Sequence, residues 1–74
     1  DLDVLDPAYA PGVGNPEAVG ITSRELFDMI HSFEETKVTG IDIVELNPYH
    51  DNGATASLAA KIISTMIAMN LSQK

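Results

Sequence analysis

The stretch that decides the fold is residues 38–46, which read Val-Thr-Gly-Ile-Asp-Ile-Val-Glu-Leu. Apolar side chains fall on both faces of this run, as in a strand buried within a parallel sheet. Asn47-Pro48 ends the run, since proline has no backbone N–H for a sheet ladder. We therefore predict a buried parallel strand over residues 38–46.

A helix is predicted on each side of this strand. Upstream, Thr22 and Glu25 have the spacing of a capping box, and apolar residues then recur at helical intervals up to Phe33, with the helix ending near Thr36. Downstream, residues 54–70 form a second helix with a narrow polar stripe. Such a helix needs cover on more than one side.

Residues 1–5 alternate polar and apolar side chains and predict a first strand, which the turn signal Asp6-Pro7 ends. A loop rich in proline and glycine follows over residues 6–21, and loops of this length are usually functional or disordered. The order strand, loop, helix, strand, helix predicts an α/β fold with a parallel sheet. Because two strands do not make a stable sheet, and because the chain opens at Asp1 on a strand, we expect a cut through a larger protein.

Composition narrows the class of protein. The chain has 74 residues, a net charge of −7 and no cysteine. The length allows one small domain, and the absence of cysteine excludes disulfides and thiolate metal sites. The acidic charge argues against a nucleic-acid partner. We predict no signal peptide and no membrane-spanning segment, and a cytoplasmic location by default.

Asp1 and Asp3 are the first candidate site residues. Alternate residues of a strand project to one face, which puts the two carboxylates roughly 7 Å apart. Carboxylates so placed can converge on hard cations. From spacing alone, the alternative is favoured: Asp1 is a chain terminus and Asp3 a solvated edge residue.

Three segments together resemble the ureohydrolase family of agmatinases, arginases and formimidoylglutamases. Residues 1–12 with Gly20 resemble its signature D-x-D-x-x-x-P-x-x-x-P-G-x7-G. Residues 20–25 are similar to its G-[LI]-[ST]-x-R-E helix start, and residues 40–48 to its G-x-D-[IVL]-[VM]-E-[VL]-N-P strand. The resemblance covers nearly all 74 residues in order. It implies that residues 1–74 are the C-terminal part of one ureohydrolase domain, without a separate second domain.

The resemblance also implies a fold and a set of site residues. The family fold is a three-layer α/β/α sandwich with two Mn²⁺ ions at the C-terminal ends of parallel strands. Asp1 matches the carboxylate that bridges the two ions, and Asp3 matches a ligand of one ion. Glu45 matches the carboxylate that accepts hydrogen bonds from the guanidinium group of the substrate. The alternative for Glu45 is a structural ion pair with Arg24 or Lys37.

The activity implied is hydrolysis of a linear guanidino compound to urea and an amine by a hydroxide that bridges the two metal ions. Agmatine is favoured, which would place the enzyme in polyamine metabolism, because residues 48–51 and 55–60 look more like agmatinases than arginases. Arginase, guanidinobutyrase or formimidoylglutamase specificity is the alternative.

Four further metal ligands of the family, a His and those of an Asp-x-His-x-Asp motif, have no counterpart in this chain. We therefore expect the 74 residues to be inactive alone and to need the remainder of their own polypeptide. We also expect a homo-oligomer.

Two rival classes stay open at this point. The first is a non-catalytic α/β interaction module whose last helix docks on a partner. The second is a nucleotide-binding half-domain, although the chain lacks the phosphate-binding fingerprint of such domains.

Asn15 and Val19 stand where many family members have Thr and Gly. His50 lies in the loop after residues 38–46, and we expect no special role for it.

Overall fold

The structure is a computed structural model that describes residues 1–72. In chain order it contains a 3-10 helix at Leu2–Val4, helix α1 at Ser23–His31, a second 3-10 helix at Pro48–His50, and helix α2 at Ala54–Leu71. The loop of residues 5–22 and the segment of residues 38–47 lie between these elements. Neither forms a strand ladder in the described part of the chain.

The first predicted strand, residues 1–5, is wrong as a description of this structure. Leu2–Val4 forms a 3-10 turn, because the backbone N–H groups of Val4 and Leu5 bond to the carbonyl oxygens of Asp1 and Leu2 rather than to a neighbouring strand. Within residues 1–5, only Leu5 forms a β-bridge, which is an isolated parallel bridge to Ile21. A strand needs a neighbour along its edge, and this segment has one bridge.

The second predicted strand, residues 38–46, also lacks a ladder. Leu46 forms an isolated antiparallel bridge with Val13, and the carbonyl oxygen of Val44 accepts a hydrogen bond from Leu2. Glu45 interrupts any regular strand, since its φ of 74° lies in the left-handed region. The segment is held by single backbone contacts on both sides.

Both helices form as the sequence predicts at their N-termini. At α1, Thr22 Oγ1 accepts from the Glu25 N–H at 3.0 Å, and the Glu25 carboxylate accepts from the Thr22 N–H at 2.9 Å, which completes the capping box. The C-terminus of α1 comes earlier than predicted, at His31 rather than near Thr36. From Ser32 on, the backbone makes tighter bonds to the third residue back, and the Ser32 hydroxyl donates to the Met29 carbonyl at 2.6 Å.

Helix α2 spans 18 residues, one more than predicted at its C-terminus. It is long and apolar enough to cross a membrane by length and composition alone. A core helix of a folded domain meets the same criterion. Here Ala59 and Ile62 are buried against the loop, while Ile63, Ile67 and Leu71 are exposed.

The core lies between the loop of residues 5–22 and α2. It is lined on its outer side by partly buried residues of α1, Leu26, Phe27 and Ile30. Its fully or nearly fully buried members come from the first turn, the loop and α2: Leu2, Leu5, Ala10, Val13, Ala59 and Ile62. The glycine- and proline-rich loop is therefore part of the packed interior and has a defined path.

Asp6 closes the wide part of that loop. Its carboxylate accepts from Ala8 N–H at 2.9 Å and, through the other oxygen, from Val19 and Gly20 N–H at 3.1 and 3.2 Å. A Cβ at Gly20 would lie 2.5 Å from the Asp6 nitrogen, so this close approach requires glycine. Val19, which is 97% exposed, adopts a φ of 64° in the same closure.

Candidate active site

The structure brings the two predicted site segments together. The Leu2 N–H donates to the Val44 carbonyl oxygen at 3.2 Å. Asp1 and Asp3 flank Leu2, and Glu45 follows Val44. The three carboxylates predicted from the sequence therefore lie on neighbouring stretches of backbone, although Glu45 comes 42 residues after Asp3 and 44 residues after Asp1 in the chain.

Asp1 and Asp3 do not alternate along a strand. The Asp1 carboxylate accepts from the Asp3 N–H at 3.1 Å and caps the 3-10 turn. Asp3 is half-buried and Asp1 is exposed. A local cap, and not strand alternation, therefore sets the arrangement of this pair, and it orients the Asp1 carboxylate toward the backbone of Asp3.

These two carboxylates do not make a metal site by themselves. Residues 1–72 contain no group of three or more His, Cys, Asp or Glu side chains placed to hold a metal ion. Mn²⁺ favours a six-coordinate shell of oxygen and nitrogen ligands, and two carboxylates leave most of that shell to other donors. A binuclear centre needs ligands beyond this chain.

Glu45 has the backbone conformation that stands out in this region. Its φ of 74° is left-handed, a conformation that costs a residue with a Cβ about 1–2 kcal/mol. Such conformations persist only where the surroundings hold them, and they concentrate at active sites and ligand clamps. Its carboxylate lies over Gly14, where a Cβ would be 3.5 Å from Glu45 Oε2.

The turn at residues 12–14 is bonded to the chain that follows Glu45. The Asn47 N–H donates to the Gly12 carbonyl oxygen at 2.7 Å, and Val13 is bridged to Leu46. His50 Nδ1 lies 2.8 Å from the Val13 carbonyl oxygen and donates to it, since a carbonyl can only accept. His50, for which we expected no special role, therefore helps to hold this turn.

The opposite side of the turn is bonded to the start of α2. The Gly12 N–H donates to Thr55 Oγ1 at 2.8 Å, and Thr55 is fully buried. A Cβ at Gly12 would lie 2.4 Å from the Cβ of Asp51, so the backbone of the turn passes directly against that side chain. Like Gly20, Gly12 is therefore required by a close approach of the backbone to a neighbouring residue.

Asp51 caps α2. Its two carboxylate oxygens accept from the Thr55 and Ala56 N–H groups at 3.0 Å each. Partial burial alone would raise the pKa of Asp51, but hydrogen bonds from the Thr55, Ala56 and Asn52 backbone and from the Thr55 side chain offset it. The pKa of Asp51 therefore lies below its usual value.

Asp51 and Thr55 were not singled out by the sequence analysis. A signal for Asp51 was present, because Asp at the head of an apolar helix is a favoured cap. Nothing local marks Thr55, since it sits among alanines and its partner is 43 residues away.

Two grooves lie elsewhere on the described chain. One of about 600 Å³ runs between α1 and α2, with Arg24, His31 and Lys61 beside apolar side chains. A smaller one of about 190 Å³ lies between residues 38–41 and the end of α2, where Val38 N–H donates to Asn70. Asp1, Asp3 and Glu45 line neither of these two grooves; Asp1 and Glu45 are exposed and Asp3 is half-buried.

Fold and site together define a class of protein. A family model described as the arginase family matches residues 1–69. The chain belongs to the arginase family, and the resemblance to ureohydrolases found in the sequence is confirmed.

Individual relatives agree with this assignment. An agmatinase of Bacillus subtilis (strain 168) is 49% identical over 70 residues, which are 90% of this chain and 24% of that protein. A mitochondrial guanidino acid hydrolase of Homo sapiens is 44% identical over 68 residues, which are 90% of this chain and 19% of that protein. The chain thus spans about a quarter or less of the length of these relatives.

Solved structures give the fold class. An agmatine ureohydrolase of Thermoplasma volcanium superposes with a TM-score of 0.85 at 43% identity, over 95% of this chain and 24% of that one. A proclavaminate amidino hydrolase from Streptomyces clavuligerus superposes with a TM-score of 0.93 at 35% identity, over 100% of this chain and 25% of that one. The predicted α/β class is thereby confirmed at the level of the arginase fold.

Proposed function

We propose that this chain is the C-terminal part of a hydrolase that cleaves a linear guanidino compound to urea and an amine, with agmatine as the favoured substrate. The observation that carries the proposal is the Leu2–Val44 hydrogen bond, which sets the Asp1–Asp3 pair beside Glu45. Relatives named agmatinase and guanidino acid hydrolase support this chemistry.

Glu45 is the proposed substrate-binding residue. A guanidinium group is planar and presents paired N–H donors, and a carboxylate accepts them through charge-assisted hydrogen bonds. Glu45 is exposed, its backbone is strained, and a Cβ at Gly14 would lie 3.5 Å from its Oε2, so residue 14 places no side chain against that oxygen. Glu45 would orient the guanidinium carbon for attack.

Asp1 and Asp3 are proposed as two carboxylate ligands of a pair of Mn²⁺ ions. Oxygen donors suit Mn²⁺. The remaining ligands would come from the rest of the polypeptide, within a three-layer α/β/α sandwich whose parallel sheet this chain completes. When bound, such ions supply a water activated for attack.

We further propose a cytoplasmic homo-oligomer for the intact enzyme. The exposed apolar side of α2, with Ile63, Ile67 and Leu71, supports cover by another part of the protein or by another subunit. The same surface is what favours the rival class, a non-catalytic interaction module. The two differ in whether a guanidino compound is turned over.

The test is urea release by the intact protein supplied with Mn²⁺. Agmatine, arginine, 4-guanidinobutyrate and N-formimidoylglutamate are offered separately, and formamide is measured in place of urea for the last. We expect urea from agmatine at the highest kcat/KM. Faster turnover of another of these compounds would support the assignment as a hydrolase and would replace agmatine as the preferred substrate. No turnover of any of them by metal-replete, folded protein would favour the interaction module.

A further inference from the structure

We propose that Thr55, at the start of α2, is a positioning residue that holds the guanidinium-binding carboxylate of Glu45 in place. The inference rests on the proposed function, because it concerns the site at which a guanidino substrate would bind. Thr55 itself does not touch that site. It acts through the turn of residues 12–14.

The first step is the burial of the Thr55 hydroxyl. Among the described residues, Thr55 is the one polar residue that is buried, and its exposure is 0%. A buried hydroxyl is costly unless it is hydrogen-bonded. Thr55 Oγ1 accepts from the Gly12 N–H at 2.8 Å, and thereby ties α2 to the loop near the other end of the sequence.

The second step is the fixed position of Gly12. Its N–H is held by Thr55, its carbonyl oxygen accepts from Asn47 at 2.7 Å, and its α-carbon packs against Asp51. The backbone of Gly12 is therefore clamped between α2 on one side and the chain after Glu45 on the other.

The third step is the strain at Glu45. Its left-handed φ of 74° needs neighbours that hold the backbone on both sides. On its N-terminal side, Val44 is bonded to Leu2. On its C-terminal side, Leu46 and Asn47 are bonded to the turn that Thr55 anchors. Without that anchor, Glu45 can relax to an ordinary conformation, and its carboxylate leaves the position over Gly14.

The experiment replaces Thr55 in the intact enzyme by Val, which keeps the shape and removes the hydroxyl, and by Ser, which keeps the hydroxyl. We expect kcat/KM for agmatine, or for the guanidino compound the wild type prefers, to fall about tenfold in Thr55→Val. Thr55→Ser should stay within about threefold of wild type. Thr65→Val is the matched control, since it removes a hydroxyl from α2 without touching the loop, and it should leave kcat/KM unchanged.

A merely structural role is separated by repeating Thr55→Val in a Glu45→Gln background. If Thr55 acts through Glu45, the tenfold loss should shrink to less than about twofold there, because contacting or coupled sites are not additive. An equal loss in both backgrounds, or no loss in the wild-type background, would overturn the proposal while leaving the proposed function standing. Inactivity of the wild type toward every guanidino compound would instead overturn the proposed function.

If Thr55→Val does not fold, Gly14→Ala provides a second test of the link between the turn of residues 12–14 and Glu45. Gly14 is exposed and its φ is not left-handed, so alanine is tolerated, and the new methyl would lie 3.5 Å from Glu45 Oε2. If the turn sets the Glu45 carboxylate, KM for the guanidino substrate should rise at least threefold, and this rise should vanish in the Glu45→Gln background. An unchanged KM would contradict the link between the turn and Glu45.

Discussion

Leu2 and Val44 are joined by a backbone hydrogen bond of 3.2 Å, and this bond places the Asp1–Asp3 turn next to Glu45. The carboxylates proposed to bind metal and the carboxylate proposed to bind the guanidinium group are thus arranged by main-chain contact. The Asp1 carboxylate also caps the 3-10 turn, through one oxygen that accepts from the Asp3 N–H.

Asp1→Asn and Asp3→Asn in the intact enzyme should each lower bound manganese and urea release together. A neutral amide attracts a dication less strongly than a carboxylate, and hard cations prefer charged oxygen donors. Elemental analysis of the purified variants is the measurement, with Asp28→Asn on the exposed face of α1 as the control. Full metal occupancy with full turnover in both variants would remove Asp1 and Asp3 from the metal site.

Asp51→Asn should lower the stability of the folded protein near neutral pH. The variant should then lose less stability than the wild type when the pH is lowered. The pKa of Asp51 is lowered in the folded state, so its contribution is present above the unfolded value, 3.8, and is lost as the pH falls through the lower folded value. Thermal unfolding of wild type and variant between pH 6 and pH 3 measures this. The difference in Tm should narrow as the pH drops below about 4. A constant difference across the range would assign the effect to shape alone.

Val19→Gly should stabilise the protein. Val19 holds a φ of 64°, and this left-handed conformation costs a β-branched residue about 1–2 kcal/mol. Glycine removes that strain, but it also increases the conformational entropy of the unfolded chain, which offsets part of the stabilisation. The expected net gain is about 0.5–1 kcal/mol, read as a higher Tm. Val4→Gly, at a position without left-handed backbone, is the control and should lower the Tm. A lower Tm for Val19→Gly as well would mean that the Val19 side chain contributes more than its backbone strain costs.

The 74-residue chain alone should self-associate at micromolar concentration. Exposed apolar side chains on α2 and the lack of a strand ladder along residues 38–45 both favour contact with another chain. Sedimentation velocity decides this. A single species near 7.9 kDa that unfolds cooperatively would contradict the expectation.

How far the sequence predicts this structure depends on the range of the contacts involved. The N-terminus of α1 was predictable, because Thr22 and Glu25 satisfy each other within one turn. Helix α2 was predictable from its long apolar composition. The strands over residues 1–5 and 38–46 were not found as such, because strand pairing depends on neighbours that local alternation does not reveal.

The site divides in the same way. Asp1, Asp3 and Glu45 were named through resemblance to a family, and their roles remain predictions. The left-handed backbone of Glu45 and the bond from Gly12 to Thr55 have no local signature. Both depend on contacts between the loop, the segment after Glu45 and α2, and such contacts become visible only in three dimensions.

The central claim is that Glu45 binds the guanidinium group beside a metal site that it does not itself form. Glu45→Gln in the intact enzyme tests this most directly, with metal content and kinetics measured on the same preparation and Glu35→Gln as the control. We predict wild-type manganese content and a kcat/KM for agmatine lowered by roughly one to two powers of ten, since a charged hydrogen bond contributes about 1.5–3 kcal/mol. An unchanged kcat/KM, or a loss of activity that simply follows a loss of metal, would contradict the account.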